Sequence, residues 1–135
     1  MKKVIGLVFT MAFTVPSPVV AQVITSYVAE IGYQDMQNSR GVQLDGMGTI
    51  LQQDRANFHR FGIRQQGDSP DPLFGNRQHR ARIPVLYQNG QRHRLIEDIV
   101  KSGHLVTVQV VVYGQNSFPT RIEIDFADGS ENCGC

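Results

Sequence analysis

Cysteine is nearly missing from this chain. Its only two, Cys133 and Cys135, stand at the very end, so no disulfide framework clips the core and the fold must rest on burial. Lysine is as scarce: after Lys2 and Lys3 only Lys101 occurs. The other fixed cations are arginines, which favour planar pairing with carboxylates or phosphates over simple solubilisation. Acidic residues are absent between Pro72 and Ile96. Catalytic and metal signatures are missing too. There is no Gly-x-Ser-x-Gly elbow, phosphate-cradling glycine loop, Cys-x-x-Cys or His-Glu-x-x-His. Nothing therefore marks a hydrolase, and no metal or cofactor is expected. His59, His79, His93 and His104 are scattered, with no pair spaced as ligands on one helix face, and Asp68 and Asp71 are too few for a calcium loop.

Long apolar runs are also lacking, and the longest is informative. Met1-Lys2-Lys3 is a short basic start, and an apolar run from Val4 to Val15 ends at Pro16-Ser17-Pro18. Val19-Val20-Ala21 then puts short side chains at the two positions a signal peptidase reads. The pattern predicts a secretory signal peptide over 1–21, too short for a membrane span, with Gln22 where a lipoprotein would carry cysteine. The mature chain is expected in the periplasm or outside the cell, with no transmembrane segment. It should form one domain over 22–127 and a flexible acidic tail over 128–135. The full chain has 13 basic and 12 acidic residues; losing Lys2 and Lys3 makes it slightly acidic, which argues against a general polyanion binder.

The periodicity predicts an α+β domain, with a small antiparallel sheet of strands near 23–31, 105–113 and 121–126 covered by two or three helices. Thr49-Ile50-Leu51-Gln52 reads as a capping box opening a helix over 49–61, which Gly62 stops in left-handed geometry. Residues 67–72 read as a loop, with Leu73 and Phe74 folding back onto the core. Residues 77–88 predict a helix broken at Pro84, ended by Asn89-Gly90. A further helix over 91–101 should carry a Glu97–Lys101 pair and close at Gly103.

Ile50, Leu51, Phe58 and Phe61 span about a 100° arc of the first helix. Asp54 falls inside that arc and Asn57 at its edge, so both are expected to be buried structural polar residues, Asp54 paired with an arginine or capping a turn. Arg55 and His59 should point away, toward solvent. The acid-free stretch holds Arg77, His79, Arg80, Arg82, Arg92, His93 and Arg94, and Glu123, Asp125, Asp128 and Glu131 reverse the charge further on. The basic stretch either faces that acidic one or solvent, or docks an anionic partner. Cys133-Gly134-Cys135 sits beside Asp128, Glu131 and the terminal carboxylate, which disfavour a thiolate. It reads as a structural disulfide or the link of a disulfide-bonded dimer, with a soft metal ion as a third use.

The stretch Ile50-Leu51-Gln52-Gln53-Asp54-Arg55-Ala56-Asn57-Phe58-His59-Arg60-Phe61-Gly62, with Tyr27-Val28-Ala29-Glu30-Ile31-Gly32 before it, resembles a set of small, uncharacterised exported bacterial proteins. The likeness covers roughly Tyr27 to Tyr113 and departs from their pattern at Pro84. It implies a compact exported α+β domain and carries no activity. Two classes of function follow from the residues. The first is a binding module whose Arg77–Arg94 stretch takes an anionic ligand, such as a phosphorylated glycolipid, an acidic protein or nucleic acid. The alternative is a small hydrolase or nuclease using Asp54, His59 and arginines. Convergence of Asp54 with a histidine and two arginines in one pocket would favour the enzyme; dispersal over a convex face would favour the module.

Overall fold

Alternating side chains build three strands in the computed structural model, which describes residues 10–128. They are β1 (Gln22–Ile31), β2 (Val106–Gln115) and β3 (Phe118–Phe126), antiparallel in the order β1-β2-β3. Residues 10–20 are exposed and without regular secondary structure, so among the described residues regular structure opens at Gln22. Cys133 and Cys135, the tail beyond Asp128 and the basic start lie outside the described residues.

One sheet face is almost wholly apolar: Tyr27, Ala29 and Ile31 pair with Val110, Val108 and Val106, and Val110 and Val112 pair onward with Ile124 and Ile122. Such a face must be covered, and helices cover it, giving the α+β fold that the periodicity predicts. They are α1 (Met47–Ala56), continued by a π-helical turn (Asn57–Phe61), then α2 (Arg77–Ala81), α3 (Ile83–Asn89) and α4 (Arg94–Lys101). Leu51, Ile83, Leu86 and Ile96 close over the sheet with no exposed surface. Phe74 folds back onto this core and Leu73 packs against it, as the apolar pair after the turn residues implied. No described helix is long and apolar enough to cross a membrane.

Several boundaries depart from expectation. The first helix begins two residues early and has no capping box. Gly46, at φ 88°, swings the chain in so that Met47 buries. Thr49 Oγ1 then donates to the carbonyls of Asp45 and Gly46 at 2.6 and 2.7 Å instead of accepting from a helix N–H. Gly48 sits where α1 meets α3: a Cβ there would stand 2.9 Å from Pro84 Cα. Gly62, at φ 67°, ends the π turn in the left-handed conformation expected of it. The basic helix breaks at Arg82, and Pro84 falls in the first turn of α3, where its missing N–H costs nothing. The helix expected over 91–101 starts only at Arg94, because His93 Nδ1 accepts from the Ile96 N–H at 3.4 Å and caps it. Glu97 pairs with Arg92 and Tyr87 rather than with Lys101.

The free edge of β1 is covered by the loop read as mere turn. Val28 N–H donates to Ser69 Oγ at 2.7 Å, Ser69 N–H to Val28 O at 2.9 Å, and Glu30 N–H to Asp68 Oδ1 at 2.9 Å. Gly67 N–H returns a bond to Glu30 Oε2 at 2.8 Å. An open edge is a pairing liability, and this strap removes it. It also lays residues 65–74 across the side of α1 that the helical period leaves facing water.

Candidate functional site

Two polar constellations result, one sealed and one open. The sealed one centres on Arg55. This side chain was expected in solvent, yet it has no exposed surface. Its Nε donates to Asp54 Oδ2 at 2.7 Å, and its Nη1 to Asp71 Oδ2 at 3.1 Å and Ser69 O at 3.0 Å. The guanidinium lies 4.2 Å from the Tyr27 ring centroid and 4.6 Å from that of Phe58, so two aromatic faces attract it as well. His59, also expected in solvent, places Nε2 2.7 Å from Asp71 Oδ2. The 65–74 strap explains both corrections: it brings Asp71 over α1 and turns a solvent face into an interior one.

Burial pushes the Asp54 carboxyl up to about 7, although Arg55 beside it pulls the other way. Asp54 Oδ1 and Arg55 Nη2 have no hydrogen-bond partner, so desolvation is only half offset. Burial also raises Asp71, but donation from the Phe74 N–H, His59, Arg55 and the Leu73 N–H outweighs it and holds that carboxyl below the usual range. Asp54 and Asn57 are both buried in the structure, Asn57 bonding Asp35 Oδ1 at 2.8 Å and Gln34 O at 3.1 Å. Asp35, which the pattern did not single out, is fully buried between Asn57, Gln65 and the Gly32 N–H.

The open constellation is a groove of about 410 Å³ between α1 with its π turn and α2. Arg60, Arg77 and Arg80 line it, with Thr49, Gln52 and Gln53, and among the described residues no carboxylate does. Arg80 is buried at the groove wall, tied by Nη1 to Phe74 O at 2.8 Å and Gly75 O at 3.3 Å. Burial, then repulsion from Arg60 and Arg77, holds its guanidinium below its ordinary value. Three like charges face one space without a counter-charge among its walls.

The basic stretch thus does not act as one patch. Arg77 and Arg80 join Arg60, which sequence reasoning missed because it lies on a different helix 17 residues away from Arg77. His79 is half-buried. Arg82 stacks on Phe118 at 4.5 Å, Arg92 is spent on Glu97, and His93 lies 3.7 Å from Asp125 and edge-on to Phe126. Arg94 is exposed on α4. Phe61, expected on the apolar arc, is 45% exposed. A π turn takes more residues per turn than an α-helix, which carries this ring off the buried face and to the rim of the arginine groove. Asp54 meets one histidine-bearing network and one arginine, but in a sealed interior rather than a pocket. Among the described residues, no three metal-ligating side chains gather. No protein-family model, curated protein or solved structure matches this chain.

Proposed function

We propose that this protein is an exported binding module that holds an anionic ligand in the groove formed by Arg60, Arg77 and Arg80. The observation that carries the reading is three guanidinium groups on one groove with no carboxylate among its walls. Guanidinium forks bind phosphate or carboxylate oxygens in pairs, and an anion would relieve the repulsion among the three. Export rests on the basic start, the apolar run and Val19-x-Ala21, and the opening of β1 at Gln22 supports it. The periplasm or the cell exterior is the expected place of action.

Charge reversal tests it. Arg60→Glu and Arg77→Glu together should abolish retention on a phosphate-bearing or heparin resin, while Arg82→Glu should leave most of it. Wild-type retention should fall steeply with added salt, since each released counterion contributes. Equal retention of both variants would reject the groove.

A hydrolase remains the second reading on one observation, the His59–Asp71 contact of 2.7 Å, in which a carboxylate orients a partly exposed imidazole. Hydrolysis of a generic phosphodiester or ester that disappears in His59→Ala, with the fold intact, would favour it over the module.

A further inference from the structure

A second cleft, of about 360 Å³, adjoins the arginine groove and shares Ser39, Gln53 and Phe61 with it. It has no charged side chain in its walls. Carboxamides line it instead: Gln34, Gln37, Asn38, Gln53 and Asn57, with Phe61 and Ile63 as the apolar part. Asn57 spends both Nδ2 protons inside the fold and accepts from Gln53 Nε2 at 2.9 Å. Asn38 Oδ1 accepts the Arg40 and Val42 N–H groups, leaving its NH2 free. Among the described residues, Gln34 and Gln37 use neither end of their amides in the chain's own hydrogen bonds. Four amides with spare capacity therefore surround a neutral cleft that opens onto three cations.

We infer that the ligand is a sugar phosphate, its phosphate on Arg60, Arg77 and Arg80 and its ring among the amides against Phe61 and Ile63. The inference rests on the anion-binding reading above and names the rest of the molecule. A carboxamide both donates and accepts, as each sugar hydroxyl does, so hydroxyls placed around a ring find partners in several directions. A nucleobase keeps its donors and acceptors in the plane of the ring, between two large flat faces, and would ask for more rings and fewer amides. Four available amides against a single aromatic ring favour the polyol. Sugar C–H groups supply the apolar surface that Phe61 and Ile63, 45% and 37% exposed, can cover.

Titration of the full mature protein at low salt, followed by amide chemical shifts, tests this with matched probes: inorganic phosphate, glucose, glucose 1-phosphate and AMP. Glucose 1-phosphate should bind at least tenfold tighter than phosphate, and glucose alone should bind weakest. Gln34 and Gln37 are exposed and their side chains bear no internal hydrogen bond, while the backbone contacts of both survive truncation, so Gln34→Ala with Gln37→Ala keeps the fold. That double variant should bring glucose 1-phosphate down to the affinity of phosphate and leave phosphate unchanged. Equal affinity of wild type for phosphate and glucose 1-phosphate overturns the inference while leaving the arginine groove standing. So does tighter binding of AMP, or a double variant that still prefers the sugar phosphate. Binding of neither phosphate nor glucose 1-phosphate sinks the groove itself.

Discussion

Asp54, Arg55 and Asp71 show how one residue's environment can be set by a distant loop. A single guanidinium between two carboxylates leaves one negative charge in excess, and a proton on Asp54 removes it. The unfolded chain gives up that proton near 3.8, whereas burial holds the folded group at about 7. The native state therefore binds a proton that the unfolded state has lost, and this contribution is full below about pH 4 and fades as pH rises through 7. Between pH 6 and 8 the group should cost wild type about 1.4 kcal/mol that Asp54→Asn does not lose. Urea midpoints of both proteins at the two pH values check this, and parallel losses would mean that folded Asp54 does not titrate between them. Arg55→Lys should cost about 2–4 kcal/mol, since one ammonium cannot span Asp54 and Asp71 and has no planar face for Tyr27 and Phe58. A midpoint unchanged in Arg55→Lys would mean that charge alone matters there.

Among the elements, the hairpin between β2 and β3 carries the clearest local conflict. Gln115 pairs with Phe118, so Asn116 and Ser117 form a two-residue turn with φ of 49° and 66°. Both positions are left-handed, the geometry that matches strand twist and favours Asn-Gly. Asn tolerates it, whereas Ser bears Cβ crowding against the backbone. Ser117→Gly should raise stability by about 0.5–1 kcal/mol, the relief of strain exceeding the extra entropy of glycine. Thermal unfolding measures it, and a lower midpoint would show that the Ser117 side chain holds the turn. The 65–74 strap is the other decisive element, because Gly67, Asp68 and Ser69 close the β1 edge and Asp71 reaches Arg55.

Across the whole molecule, the acids are largely committed. Asp54 and Asp71 serve Arg55, Glu97 serves Arg92, Glu123 accepts from Arg121, and Glu30, Asp35 and Asp68 receive backbone or amide donors. In a chain so nearly balanced in charge, the groove lacks a counter-charge because these carboxylates are held elsewhere and none of the described ones lines it. That is why net charge argues against general polyanion binding while the proposed ligand of the groove is one small anion. At this scale too, the leader should be removed: intact mass of protein recovered from the periplasm or medium should correspond to a chain starting at Gln22. A retained Met1 on exported protein would refute the cleavage site.

Features governed by local backbone chemistry were legible in the order of residues. Strand alternation places Val108, Val110 and Val112 together because the side-chain period is two. Pro84, Gly62 and Gly103 mark breaks and stops because each has its own φ preference. Asp54 stood out because a carboxylate on an apolar arc is costly. The surroundings of Arg55 and His59 were not legible: helical phase assigned them to water, and only the strap, held by bonds to β1 some 40 residues away in sequence, makes that face an interior. The arginine groove is tertiary in the same sense. The break at Arg82 separates Arg77 and Arg80 from the cations that follow and sets them beside Arg60 across α1. The chain order determined which residues carry charge, and packing decided which charges remain without a partner.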